Sequence, residues 1–188
     1  MKYIKNKLFE YGCYSNAVKN FRTAYFYFSL LVLFDRNYPE IFINRGKSLF
    51  YLKKYNDAIS DFNKAIESDY FSYSFYYRGH VKEELENFKD ALADYTHALQ
   101  MDPHNIIFLM KRGQLFVKMK RHHDALSDFD RLTENNPLNT EPYLQRGLVY
   151  ISIGNKNSAT IEFFKALEIK KSDRVKSFIK EYLNYEIP

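Results

Sequence analysis

The side chains whose types and spacing could do chemistry recur in one arrangement. An arginine-glycine pair stands sixteen residues before an acid-aromatic pair: Arg45-Gly46 with Asp61-Phe62, Arg78-Gly79 with Asp94-Tyr95, Arg112-Gly113 with Asp128-Phe129, and Arg146-Gly147 with Glu162-Phe163. A guanidinium beside a carboxylate could orient a substrate or help move a proton, but an active site is not ordinarily built four times in one chain. Tyr11 and Tyr27 replace both members together in a further copy. Such joint replacement points to ion pairs that tie helices, within a repeat or between neighbours.

The remaining candidates carry less. His122 and His123 are adjacent and so point to different parts of a helix surface, while His80, His97 and His104 lack ligand spacing, so no metal site is expected. Glu83, Glu84 and Glu86 fall at a turn and read as solvated carboxylates. The glycines stand singly and never cluster, which excludes a phosphate-cradling loop. No catalytic residue, cofactor-binding residue or cofactor is assigned, and the chain does not read as an enzyme.

The elements that must position these residues follow from a period. Gly12, Gly46, Gly79, Gly113 and Gly147 are 34, 33, 34 and 34 residues apart, the mark of stacked repeats. Twelve residues after each comes Ala24, Ala58, Ala91, Ala125 or Ala159, and sixteen after comes Phe28, Phe62, Tyr95, Phe129 or Phe163. Tyr55, Ala58, Ile59, Phe62, Ala65 and Ile66 make one helical stripe, and Phe88, Ala91, Leu92, Tyr95, Ala98 and Leu99 repeat it. Phe42, Gly46, Leu49 and Leu52 give a preceding helix, joined by a tight turn. Each repeat is therefore a helical hairpin, A then B. A glycine inside helix A costs about 1 kcal/mol against alanine, so its return implies close contact with the large aromatic of helix B. Pro103 and Pro137 stop helix B.

With glycine, alanine, aromatic, alanine and proline all present in one repeat (Gly79, Ala91, Tyr95, Ala98 and Pro103), the chain resembles the tetratricopeptide repeat family. The resemblance implies an all-α, right-handed α-α superhelix, a solenoid of five helical hairpins plus a C-terminal capping helix. As a single array over 1–188, the repeats fall at 5–38, 39–71, 72–105, 106–139 and 140–173, with the capping helix near 174–185. Departures are Ser15 in place of a large apolar residue, Arg36 and Lys171 in place of proline, and a residue missing near Tyr70.

By the same resemblance, the A helices line a concave groove that binds a peptide or helix of a partner protein. The implied lining is Phe9 and Cys13, then Ile43, Asn44, Lys47 and Tyr51, then Tyr73, Tyr76 and His80, then Ile107, Met110 and Gln114, and finally Leu144 and Leu148. Tyr73, Tyr76 and Met110 are expected to anchor the ligand. The implied function is that of a non-enzymatic adaptor. A co-chaperone using a carboxylate clamp is the alternative, and it is weakened because only Asn44 matches, with Phe9, Cys13, Tyr73 and Tyr77 at the cationic and amide places. A nucleic-acid reading would rest on Lys118, Lys120, Arg121, His122 and His123, a short basic turn of the kind usually just solvated.

Composition sets the remaining bounds. The 188 residues carry 28 Lys and Arg against 23 acids, a net charge of +5 that leaves the ligand open. Cys13 is the only cysteine, which excludes an internal disulfide framework and fits a reducing, cytoplasmic setting. The most apolar run, Ala24 to Phe34, is too short to span a bilayer, so no membrane partner is expected. That run makes the first helix B apolar around most of its circumference, so self-association or partner docking is expected at the N-terminal edge.

Overall fold

The apolar stripes read from the sequence are helices in the computed structural model, which describes residues 2–34, 39–68 and 72–183. Arg36 and Tyr70, singled out as departures, lie outside the described residues. The helices are α1 (Lys2–Ala17), α2 (Phe21–Phe34), α3 (Pro39–Tyr51), α4 (Tyr55–Ser68), α5 (Ser72–Glu84), α6 (Phe88–Met101), α7 (Ile106–Lys118), α8 (His122–Asn135), α9 (Thr140–Ser152), α10 (Lys156–Ile169) and α11 (Asp173–Leu183). Each odd-numbered helix from α1 to α9 packs on the even-numbered one that follows, giving five hairpins and a last helix. They group into two compact units, Met1–Pro103 and His104–Pro188.

The hairpin turns repeat in detail. Lys19, Lys53, Glu86, Lys120 and Gly154, each seven residues after a helix A glycine, have φ of 60°, 59°, 58°, 59° and 77°. Around each, two backbone N–H groups reach back to helix A carbonyls: Lys19 to Asn16 at 3.1 Å and Asn20 to Ser15 at 2.8 Å, and likewise Lys120 to Val117 and Arg121 to Phe116. This satisfies carbonyls that a helix end otherwise leaves orphaned and reverses the chain in a short turn. Helix B then starts against a side-chain cap in the first and last hairpins, where Asn20 accepts from the Thr23 N–H at 3.3 Å and Asn155 from the Ser158 N–H at 3.1 Å. α6 and α8 end ahead of Pro103 and Pro137, while α10 ends at Ile169 although Lys171 holds the proline place.

The helix A glycines lie directly on the helix B aromatics. A Cβ added at Gly46 would sit 2.7 Å from the Phe62 ring, and one at Gly113 would sit 2.6 Å from Phe129. Ala24, Ala58, Ala91, Ala125 and Ala159 are fully buried beside these rings. Cores also bridge neighbouring hairpins in the first unit. Ile41 of α3 joins Ala24, Phe28 and Leu31, and Val81 of α5 joins Leu49, Ala58 and Phe62. In the second unit Leu144, Ala159, Phe163 and Ala166 pack with Val175 and Ile179 of α11. The outer residues of that helix are polar, and Arg174 reaches Glu141 at 2.8 Å.

The arginine-acid pairs stitch this packing. Arg45 donates to both Asp61 oxygens at 2.7 and 2.7 Å, Arg78 to Asp94 at 2.9 and 2.6 Å, and Arg112 to Asp128 at 2.8 and 2.7 Å. Arg146 meets Glu162 through one bond of 3.2 Å. Two of the arginines also reach the preceding hairpin: Arg78 donates to Asn63 at 2.7 Å and Arg146 pairs with Asp130 at 3.1 Å. Where the charged pair is absent, the Tyr11 and Tyr27 rings pack together, centroids 5.7 Å apart. One reading needs correction. Glu83 is not a solvated turn residue; it is buried, and its carboxylate accepts from the Tyr95 hydroxyl at 2.7 Å. The turn begins only after Glu84, so Glu83 still points inward from the last turn of α5.

Candidate functional site

In the first unit the A helices α1, α3 and α5 run side by side, α1 against α3 and α3 against α5. A short polar seam sets the first of these spacings. The Asn16 amide donates to the Asn44 carbonyl at 3.1 Å, and its oxygen accepts from the fully buried Ser48 hydroxyl at 2.9 Å. Asn44 turns its own amide back to the Glu40 carbonyl at 2.9 Å. Buried polar groups are therefore paired with each other, and the helices are held in one register.

Beside the seam lies a cleft of about 600 Å³ lined by Cys13, Asn16, Ala17, Lys19, Phe21, Asn44, Lys47, Tyr51 and Tyr77. The Lys47 ammonium stands 5.1 Å from the centre of the Tyr77 ring, a cation over an aromatic face. Tyr51 stacks on Phe21 with centroids 4.3 Å apart and planes 13° from parallel, and more than half of Tyr51 stays exposed. Burial pushes the Cys13 thiol up from its ordinary range, and the nearby Lys47 charge offsets part of that rise. The thiol is therefore protonated near neutrality and a poor nucleophile. The cleft can bind through apolar, aromatic and cationic contacts, and it holds no base beside a nucleophile.

Further along α3 and α5 the aromatic wall continues. Tyr73 packs edge-on to Tyr76 at 6.2 Å, Tyr76 lies 5.0 Å from Tyr77, and His80 lies 4.7 Å from Phe50. Tyr73 is exposed, and His80 and Tyr77 are half-buried. Tyr76 is buried against Tyr95, at 5.9 Å, as well as Tyr77, and burial raises its phenol well above the ordinary range, with neighbouring phenols adding to the effect. It is part of the support for the wall, not the open anchor that its place in the repeat implies.

The other expected groove residues divide in the same way. Ile43 is half-buried on α3, whereas Phe9 packs edge-on against the core ring Phe28 at 5.8 Å. In the second unit α7 runs beside α9; Ile107 is exposed, and Met110, Gln114 and Leu148 are half-buried. Leu144 is core, 1% exposed, because it faces α10 and α11. The sequence reading missed Asn16, Lys19 and Phe21, which come from the end of helix A, the turn and the start of helix B; Asn16 lies beyond the counted places of helix A, and a rule confined to that helix cannot reach Lys19 or Phe21. In the basic turn, Arg121 is held by Asp124 at 2.7 Å and lies 4.6 Å from the Phe116 ring centre.

Among the described residues no group of His, Cys, Asp and Glu could hold a metal ion, and no helix is long and apolar enough to cross a membrane. A five-hairpin period with a glycine against an aromatic in every hairpin is a family signature, and tetratricopeptide-repeat profiles match residues 39–70, 76–137 and 140–173, more than half of the chain. The chain is a tetratricopeptide repeat protein.

Solved members of that fold superpose over nearly its whole length. The MamA protein has a TM-score of 0.78 at 21% identity, covering 100% of this chain and 98% of its own. YrrB, a TPR protein with an unusual peptide-binding site, has a TM-score of 0.74 at 20% identity, covering 93% of this chain and 90% of its own. A tetratricopeptide repeat protein from Parabacteroides merdae has a TM-score of 0.79 at 17% identity, covering 98% and 80%. These likenesses establish the all-α solenoid fold of tetratricopeptide repeats. Among curated proteins, none matches this sequence.

Proposed function

We propose that this tetratricopeptide repeat protein is a non-enzymatic adaptor that holds a segment of a partner protein on the open face of α1, α3 and α5. The observation that carries the reading is the cleft in which Lys47 and Asn44 sit among Phe21, Tyr51 and Tyr77. A peptide side chain with an aromatic or aliphatic body would stack beside Tyr51, and a carboxylate on the same segment would meet the Lys47 ammonium that stands over Tyr77. Tyr73 extends the contact surface along α5. Met110 and Gln114 on α7 and Leu148 on α9 take the corresponding part in the second unit. YrrB, which shares the fold, carries a peptide-binding site, and this supports the assignment.

The test is to pan a displayed peptide library on the protein and measure the selected peptides by fluorescence anisotropy against wild type and Lys47→Glu/Tyr51→Ala. Both side chains reach solvent, so the variant should fold, and the peptides should bind it at least about tenfold more weakly. Equal affinity for both proteins would remove the cleft from the binding face. The co-chaperone reading takes Asn44 as the one matching member of an incomplete carboxylate clamp. It predicts that the selected peptides end in acidic residues and lose affinity when their C-terminus is amidated, whereas the adaptor reading predicts internal segments indifferent to amidation.

A further inference from the structure

Later hairpins show what covers the outer edge of helix A. Ile41 and Val81 each pack into the core of the hairpin before them. Counted from the helix glycine, their places in α1 are held by Lys7 and Tyr14. The Tyr14 place is 0% exposed in Ser48, Val81, Leu115 and Val149, and Tyr14 itself is 67% exposed. Just before the glycine, where four arginines grip buried acids, Tyr11 is 53% exposed and its ring touches Tyr27, which in turn touches Phe26 at 5.7 Å. Ile4 is 55% and Val18 53% exposed. Residues 4, 7, 11, 14 and 18 step by three and four, which places them along one side of a helix as a packing seam.

We propose that this edge is an interface between two copies of the chain, with α1 lying antiparallel on α1 of the second copy about a two-fold axis at Tyr11. A two-fold contact needs a patch that complements itself. Here, running one α1 against the other brings Ile4 to Val18, Tyr11 to Tyr11, and Lys7, whose ammonium pairs with Glu10 at 2.8 Å, beside Tyr14. The exposed residues of α11 include Asp173, Arg174, Lys180 and Glu181, a charged face that does not match the tyrosines and aliphatic residues of this edge, which favours the two-fold contact over head-to-tail stacking. Ile4, Tyr11, Tyr14, Val18 and Phe26 expose together on the order of 600 Å² per copy, close to the lower bound for a specific interface. The dimer should accordingly be reversible and set by concentration.

Sedimentation velocity on the full chain from about 1 μM to about 300 μM should show the 22.6 kDa monomer giving way to a species of twice that mass. Tyr14→Glu, at an exposed site, should keep its helical circular dichroism and raise the dimer dissociation constant at least about tenfold. Leu138→Ser, an exposed apolar residue of the second unit, should leave association unchanged. In a Cys13→Ser background, Tyr11→Cys should oxidise to a covalent dimer, and Ile4→Cys should do so only when paired with Val18→Cys. A monomer across the whole range would overturn the proposal and leave the edge to a different protein or segment. Association insensitive to Tyr14→Glu would overturn it as well, and cross-linking of Ile4→Cys alone would overturn the antiparallel arrangement.

Discussion

Asp61, Asp94 and Asp128 are each about 98% removed from solvent, and each is gripped by two hydrogen bonds from one guanidinium. A charge so placed is tolerable only while its partner stays, so Arg112→Ala should lower unfolding free energy in urea by about 3–5 kcal/mol. Arg78→Ala should cost less, because Lys82 still reaches Asp94 at 2.8 Å. The fifth hairpin has the longer Glu162, and there the fork does not close: buried Arg146 Nε and Glu162 Oε2 have no hydrogen-bond partner. Glu162→Asp should restore the two-bond geometry of the other repeats and raise the thermal midpoint, by about 1 kcal/mol equivalent. Cys13 offers a check on the cleft. Burial holds its thiol above the ordinary range, so alkylation at neutral pH should be slower than that of free cysteine. The Lys47 charge favours the thiolate, so Lys47→Ala should move the pH-rate profile to still higher pH. A profile that moved down would contradict the cleft electrostatics.

At the scale of the element, each hairpin turn forces one residue into the left-handed region, and only the last uses glycine there. A residue with a Cβ pays about 1–2 kcal/mol for that conformation. Lys120→Gly should therefore stabilise the protein by about 1 kcal/mol, read as a shift of the thermal midpoint, since the side chain is exposed and the two reaching N–H groups keep their acceptors. No change on substitution would mean that the turn is not strained at this residue. The turns also explain how much of each hairpin was legible from spacing. Sixteen residues, counted through a helix end, a fixed turn and a helix start, always return to the same height, so Arg to acid and Gly to aromatic are pairs that linear spacing can predict. The left-handed residue itself was not legible, because lysine and glutamate carry no sign of it.

For the molecule as a whole, repeats gain stability from their own hairpins and their nearest neighbours. Gly147→Ala would set a Cβ against the Phe163 ring, so hydrogen exchange should lose most protection in α9, α10 and α11 and little in α1 and α2. Equal loss everywhere would indicate one all-or-none unit. The sequence by itself determined the five hairpins, their registers and their charged pairs, because these depend on spacing along one chain and on side-chain size. Only the tertiary structure decided which helix A residues remain open. Tyr76 and Leu144 occupy groove places by count yet lie under neighbours, Glu83 turns inward to Tyr95, and Asn16, Lys19 and Phe21 reach the cleft from outside the counted positions. Exposure is set by what packs from other helices, which no spacing within a single repeat records.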